Sequence, residues 1–163
     1  MAGLVLTGTS ACTVPHDAVA GISVTDDGHL LGVILVCGHH IDGATLYHSE
    51  GRGEVVDEVI APGSVPSGSW TADRPLESGL ATWPLESPAA GWGTDTPLAP
   101  LSAETTYTFF GWTHDSSSSA QAVEFTLADR ARLTPGKVLH FNGGESAAVV
   151  PMAEFQAGAC STL

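Results

Sequence analysis

Basic residues are scarce in this chain: of 163 residues, one is lysine and four are arginine, against 18 aspartates and glutamates. The formal net charge at pH 7 is therefore −13. Such a chain repels phosphate backbones and anionic lipid surfaces over about a Debye length, ~8 Å in physiological salt. Nucleic acid is thus a poor partner. The acidic residues stand singly or in pairs, as is typical of a solubilising surface rather than a cation-binding array.

Long apolar runs and familiar catalytic motifs are also missing. No uninterrupted apolar run approaches the ~20 residues that a helix needs to cross a bilayer. The sequence has no Gly-x-Ser-x-Gly elbow, zincin motif or phosphate-binding loop. His48-Ser49-Glu50 and His114-Asp115-Ser116 place reactive groups side by side, but a triad requires convergence in space. We therefore predict a protein that is not an enzyme and needs no cofactor. A hydrolase of unrecognised type is the third hypothesis, after the two binding functions given below.

What is present favours one β-rich domain. Hydrophobic residues make up 43% of the chain, which excludes a disordered polyelectrolyte, and 19 glycines and 10 prolines indicate many turns. We assign residues 1–18 to a signal-peptide remnant or lipid-anchor segment with a linker. Residues 19–163 are assigned to a single domain, with a C-terminal appendage from about residue 128.

Strand patterns recur about every ten residues. Residues 19–25 alternate and end at Asp26-Asp27-Gly28, which predicts a hairpin turn. Residues 29–37 are almost wholly apolar, as expected for a central strand covered on both faces. Residues 115–119 predict an exposed polar loop, residues 128–133 a helical turn and residues 152–159 a short helix. Further strands are predicted at 44–49, 55–60, 69–73, 79–85, 105–113, 122–127 and 137–141.

The segment from Leu101 to Trp112 indicates a corner that leads into a buried strand. Leu101, Thr105 and Tyr107 have the spacing at which an inward tyrosine bonds upstream backbone through its hydroxyl. Residues 19–127 resemble an immunoglobulin or fibronectin type III domain, with Leu101-x-Ala103-x-Thr105-x-Tyr107 at the tyrosine corner. Ala103 replaces the proline that is frequent there. The resemblance implies an all-β antiparallel sandwich, followed here by a short C-terminal strand and helix.

Three cysteines, Cys12, Cys37 and Cys160, divide into one pair and one single residue. Cys37 ends an apolar strand and Cys160 lies near the C-terminus, so a disulfide between them would fasten the tail to the core. On the chain-entropy model the long loop that it closes contributes about 4 to 5 kcal/mol. The alternative is a pair of reduced, buried thiols.

Ser10-Ala11-Cys12 resembles the end of a bacterial lipoprotein signal peptide, in which small residues precede the lipidated cysteine. The resemblance implies lipidation of Cys12 and an extracytoplasmic protein, either lipid-anchored to the cell membrane or secreted. Thr9 replaces the aliphatic residue that this pattern prefers, and no basic residue precedes Cys12. Met1 is therefore interpreted as a start placed too far downstream. The alternative is a disordered N-terminus with an incidental cysteine.

Two groups of residues could bind a ligand. His39, His40 and Asp42, beside Cys37, could hold zinc or copper if they converged. Aromatic side chains could instead form a recognition face for sugars or a protein. Among them Trp92, between two glycines, is the best exposed candidate, and Trp112 is predicted to fill the core. The aromatic residues considered are Tyr47, Trp70, Trp83, Trp92, Phe110 and Trp112.

The leading hypothesis combines these readings. It is an exported, non-enzymatic β-sandwich that binds a protein or envelope ligand of unknown identity through its loops. As a whole the chain also resembles small bacterial envelope lipoproteins that carry no established activity. The alternative is a metal-binding envelope protein that uses His39, His40 and Asp42.

Overall fold

A computed structural model describes residues 13–49, 64–144 and 146–163. Cys12, Glu50 and the strand predicted at 55–60 lie outside the described residues. The β-strands are β1 (His16–Val24), β2 (Leu30–Val36), β3 (Ile41–Ser49), β4 (Ser64–Leu76), β5 (Gly79–Pro84), β6 (Trp92–Thr96), β7 (Tyr107–Trp112), β8 (Ser119–Gln121), β9 (Val123–Phe125), β10 (Lys137–Phe141) and β11 (Ala147–Pro151). The helices are α1 (Leu127–Arg132), α2 (Met152–Gly158) and a final 3-10 turn, Ala159–Thr162.

All eleven strands belong to one mixed sheet that curls strongly into a half-barrel. The path through the sheet runs β11-β10-β1-β8-β7-β3-β4-β6, with β2 added beside β1, β5 beside β2 and β9 beside β7. The β1–β8 pair is parallel, whereas β1 and β2 pair antiparallel over their whole shared length. The edge strands β5 and β6 approach each other where the rings of Trp83 and Trp92 stack, with ring centroids 3.7 Å apart.

The predicted two-sheet antiparallel sandwich is wrong. One edge of β1 pairs with β2, while its other edge pairs first with β8 and then with β10. Since β8 also pairs with β7, continuous hydrogen bonding joins strands that a sandwich would divide between two layers. The two faces of the curled sheet replace the two layers: the concave face encloses the main core, and the convex face is the outer face.

The tyrosine interaction itself is present. The backbone N–H of Ser102 donates to the Tyr107 hydroxyl at 2.7 Å, and the ring is 3% exposed. The ring lies 5.8 Å from that of Phe125 across the β7–β9 pair. This contact fixes the entry into β7 whether or not the chain changes sheets, so it does not distinguish a sandwich from a curled sheet.

The first hairpin agrees with its sequence pattern. Gly28 has a φ of +79°, and Thr25 N–H donates to His29 O at 2.9 Å across the turn. In β2, Leu30 and Ile34 pack in the main core, whereas Val33 and Leu35 belong to a smaller cluster on the outer face. The prediction of a central strand covered on both faces is confirmed.

A C-terminal cover, defined as residues 152–162, lies over that smaller cluster. Phe155 is 1% exposed and packs with Ala159 against Val19, Val33, Leu35 and Val138, which we call the covered patch. The predicted disulfide is present: Cys37, at the end of β2, is bonded to Cys160, 123 residues later. No helix in the described part of the chain combines the length and the apolarity needed to cross a membrane.

Other element boundaries differ from their predictions. The strand expected at 69–73 extends over Ser64–Leu76, and that expected at 44–49 begins at Ile41. Strands β6, β8 and β11 were missed because they are short, polar or rich in alanine. The helical turn expected at 128–133 is α1, where Thr126 and Asp129 form a reciprocal capping box.

Candidate functional site

Strands β3 and β7 present aromatic side chains on the outer face of the sheet. Side chains alternate along a strand, so Leu46 and Phe109 enter the main core while their neighbours Tyr47 and Phe110 point outward. Trp112, two residues after Phe110, shares its face. All three outward rings are half-buried rather than enclosed.

Trp112 lies across the neighbouring strand because that strand has a glycine opposite it. Gly43 is the register partner of Trp112, and a Cβ built on Gly43 would overlap the indole Cζ2. The indole Nε1–H donates to Thr45 Oγ1 at 3.0 Å. The missing side chain and this hydrogen bond together hold the indole against the sheet.

The other rings continue this surface. Tyr47 and Phe110 meet edge to face, with ring centroids 5.7 Å apart and planes at 83°. The His114 ring lies 5.1 Å from Trp112. Together with the loop before β8, the aromatic row forms an open cavity of about 130 Å³, which we call the outer cleft. The outer cleft is lined by Val14, Tyr47, Phe110, Trp112, Thr113, Ser116, Ser118, Ser119 and Ala122, none of which is charged.

The serine-rich loop forms one wall of the outer cleft and is held by its own hydrogen bonds. Thr113 Oγ1 donates to Ser118 O at 3.0 Å and accepts from Ser118 N–H at 3.1 Å. Ser116, exposed at the rim, has a φ of +56°, which is uncommon outside glycine. The exposed loop predicted at 115–119 is thus confirmed for residues 115–117, whereas Ser118 and Ser119 are buried and Ser119 begins β8.

The same wall is tied to the start of β1. Ser118 Oγ donates to Asp17 Oδ2 at 2.9 Å, and the hydroxyl of Ser119 lies 3.2 Å from His16 Nδ1. Because these groups come from strands about 100 residues apart in sequence, the wall exists only in the folded sheet. Outside the cleft lining, hydrogen bonds from the side chain and backbone of Ser117 lower the pKa of Asp115 to about 2.

The predicted metal ligands are only partly brought together. His40 Nε2 lies 3.3 Å from Asp42 Oδ2, and the same oxygen accepts from the backbone N–H of His114 at 2.9 Å. The rings of His39 and His40 contact each other, with centroids 4.3 Å apart. Cys37 is bonded to Cys160 and offers no thiolate. Within residues 13–49, 64–144 and 146–163, no three His, Cys, Asp or Glu side chains are grouped as metal ligands.

The two groups considered for hydrolysis also separate. His48 Nδ1 lies 2.8 Å from the hydroxyl of Ser67 on β4 rather than bonding Ser49. Ser67 is 3% exposed, so a substrate could not reach this pair without rearrangement. His114 contacts Trp112, and Asp115 accepts from Ser117 N–H at 3.0 Å. These contacts describe structural hydrogen bonds rather than a nucleophile with its base.

The aromatic residues take different roles from those predicted. Trp70 and Trp83 are buried, and Trp92 is stacked on Trp83 and packed against the main core. Trp112, predicted to fill the core, instead lines the outer cleft, so that prediction is wrong. The strand predicted from the sequence began at residue 44 and so missed Gly43, which lies inside β3, where a glycine is typical of a position that another group approaches closely.

No protein-family model, curated protein or solved structure matches this chain.

Proposed function

We propose that this protein is an exported, non-enzymatic binding protein of the cell envelope that engages its ligand in the outer cleft. The observation that carries the proposal is the row of half-buried aromatic rings next to an uncharged hydroxyl wall. Binding sites combine apolar and aromatic surface with a few placed polar groups in this way. The tail of the chain covers another part of the outer face but does not line this cleft.

The location belongs to the same proposal. Disulfides persist in oxidising compartments outside the cytoplasm, and the Cys37–Cys160 bond is of the kind that holds a small exported domain together. Cys160 is exposed and would meet reductants in a cytoplasm. Lipidation of Cys12 would then keep the protein at the membrane, and cleavage without lipidation would release it.

The location is tested by intact-mass spectrometry on protein from its native host, with membrane and soluble fractions kept apart. A chain that begins at acylated Cys12 and gains two hydrogens on reduction supports a lipid-anchored exported protein. An unprocessed chain with three free thiols contradicts export.

Binding is tested by NMR on the purified, oxidised protein with detergent-solubilised envelope extract. The chain has four tryptophans, so four indole N–H signals can be assigned by single substitutions. We expect the Trp112 signal to shift and the buried Trp70 signal to stay in place. Binding in the outer cleft is contradicted if the extract shifts none of the four indole signals. It is also contradicted if the extract shifts the other signals of Trp112→Ala protein as much as it shifts those of the unmodified protein. The geometry offers the metal-binding and hydrolase alternatives no comparable support.

A further inference from the structure

Strand β11 lies at an edge of the sheet. Among the described strands, its one hydrogen-bonded neighbour is β10. The strand reads Ala-Ala-Val-Val-Pro, and the side chain of Val149 is 46% exposed. An unpaired edge presents backbone N–H and C=O groups that can bond a further strand. β11 is therefore a candidate for strand addition.

The ladder between β10 and β11 has a defined hydrogen-bonding pattern. The Met152 N–H donates to Gly136 O at 2.9 Å, one position beyond the pair formed by Lys137 and Pro151. Hydrogen-bonded and non-hydrogen-bonded pairs alternate in an antiparallel ladder, so Lys137 and Pro151 form a non-hydrogen-bonded pair. In agreement with this, the carbonyl of Lys137 accepts from Ser23 Oγ on β1 at 2.6 Å.

This alternation fixes the direction of each backbone group of β11. Ala148 and Val150 are in hydrogen-bonded pairs with β10, whereas Ala147, Val149 and Pro151 are in non-hydrogen-bonded pairs. The N–H and C=O groups of Ala147 and Val149 therefore point away from β10, toward the free edge. Proline lacks an N–H, so Pro151 offers only its carbonyl there. The free edge thus carries two complete sets of donor and acceptor.

The other strands with one hydrogen-bonded neighbour are less suited to strand addition. β5 and β6 approach each other at the stacked rings of Trp83 and Trp92. β6 also carries Asp95, and β9, which has only three residues, carries Glu124. Charged side chains and short length are features that discourage pairing at an edge. β11 has five residues and no charge.

A second copy of the same edge matches the pattern of β11. With a two-fold axis at Ala148 and antiparallel strands, Ala147 of one copy lies opposite the partner's Val149. Each such pair exchanges two hydrogen bonds, so the two pairs together satisfy every outward N–H of both strands. Ala148 then meets its own copy in the closer, non-hydrogen-bonded pair, where a methyl group is small enough to fit. Residues 146–153 carry no charge that would oppose this approach.

We infer that this protein forms a homodimer in which β11 of one copy pairs antiparallel with β11 of a second copy. The residues of β11 do not line the outer cleft, so the inference does not depend on the proposed function. A five-residue edge is small beside the ~1,600 Å² of a standard interface, and two chains of charge −13 repel each other. We therefore expect a dissociation constant on the order of 0.1 mM, which falls when salt is added.

The first experiment is sedimentation velocity on the purified, oxidised protein from about 10 µM to about 1 mM. We expect a shift from monomer to dimer across this range. Amide hydrogen exchange, measured by NMR at both ends of the range, locates the interface. With the expected dissociation constant the monomer fraction falls from about 0.85 to about 0.2, so the Ala147 and Val149 amides should exchange about fourfold more slowly at the higher concentration. The Ala148 and Val150 amides, which already bond β10, should change little.

Two substitutions at one position test the edge. Val149→Pro removes an outward N–H but no hydrogen bond to β10, and should weaken the dimer at least about tenfold. Val149→Glu brings a carboxylate from each copy to the shared edge and should weaken it similarly. Val65→Glu is the matched control: it adds the same charge at an exposed residue of β4 and should leave most of the dimer intact. If Val149→Pro does not fold, Val149→Glu and the exchange of the unmodified protein still test the interface.

Three results would overturn the inference. A protein that stays monomeric to 1 mM, with or without added salt, does not pair through this edge. A dimer in which the Ala147 and Val149 amides exchange as they do in the monomer, or which Val149→Glu weakens no more than Val65→Glu does, has its interface elsewhere. A monomeric protein whose Ala147 and Val149 amides are protected only by envelope extract would use β11 to bind a different protein.

Discussion

The outer face of the sheet carries two apolar regions, of which one is covered by the C-terminal segment and the other is open. The covered patch on β1, β2 and β10 is closed by Phe155 and Ala159, and the cover is bonded to the end of β2. The outer cleft on β3 and β7 keeps its rings half-buried and next to hydroxyls. The covered patch consists of aliphatic side chains that only exclude water, whereas the cleft combines half-buried aromatic rings with the exposed Ser116 at its rim. We therefore interpret the first region as stabilising and the second as available for binding.

Removing the disulfide should have the largest effect on this contrast. The double variant Cys37→Ser with Cys160→Ser removes the disulfide, which closes a loop of 123 residues and holds the cover in place. The free energy of unfolding should therefore fall by about 5 kcal/mol on the chain-entropy model. Urea denaturation measures the change. The double variant should give the same midpoint with and without reductant, whereas the unmodified protein should lose stability when reduced. Equal midpoints for reduced and oxidised unmodified protein would mean that the bond does not secure the cover.

Phe155→Ala should have the next largest effect. The side chain is 1% exposed and fills the covered patch, so its loss should cost about 3 to 5 kcal/mol by lost burial and cavity formation. Thermal or urea unfolding of the oxidised protein measures it. Phe155→Leu, which retains most of the volume, should recover much of the stability. Binding in the outer cleft should remain, since Phe155 does not line it.

Trp112→Ala should destabilise the protein far less than Phe155→Ala does. The indole is half-buried and has one hydrogen bond to Thr45, so we expect a loss of about 1 to 2 kcal/mol. The two variants are compared in one urea series. A loss as large as that of Phe155→Ala would assign Trp112 to the stabilising core and contradict the division of the outer face into two roles.

The smallest expected effect is a pH dependence of the free energy of unfolding, which arises from a histidine next to the cover. Burial lowers the pKa of His140 below 6.5, and its ring lies 5.0 Å from that of Phe155. The unfolded chain therefore takes up this proton at higher pH than the folded chain does. The corresponding stability is fully present above about pH 6.5 and is lost as the pH falls toward the folded pKa.

Urea midpoints between pH 8 and pH 5 measure this dependence. His140→Gln should flatten the plot of urea midpoint against pH in that window. The control His39→Gln, at an exposed residue, should leave the plot close to that of the unmodified protein. A profile of His140→Gln that still falls as steeply would assign the loss to other groups.

Local features of the fold were predictable because neighbouring residues create them. The Asp27-Gly28 step supplies the positive φ that the first hairpin requires, and the apolar run of β2 reflects burial on both faces. The contact between Tyr107 and Ser102 spans only five residues. Its spacing was recognised, but the sandwich inferred from it was wrong because the same contact works in a single curled sheet.

The outer cleft was not predictable from alternation. Strand β7 reads Tyr-Thr-Phe-Phe-Gly-Trp, with aromatic rings at both odd and even positions, so a period of two cannot tell which rings face the core. Gly43 opposite Trp112 decides where the indole lies, and that register depends on the pairing of strands about 70 residues apart.

The sequence by itself therefore determined the β-rich composition, the first hairpin, the position of the serine loop and the cysteine pair that secures the tail. Each of these depends on local backbone preferences, or on the small number of ways in which three cysteines can pair. Only the tertiary structure decided that β1 joins β2, β8 and β10 in one sheet, and that Trp92 supports the core while Trp112 faces outward. The physical reason is that backbone hydrogen bonds between strands are chemically the same for every partner, so the choice of neighbours depends on packing of the whole core.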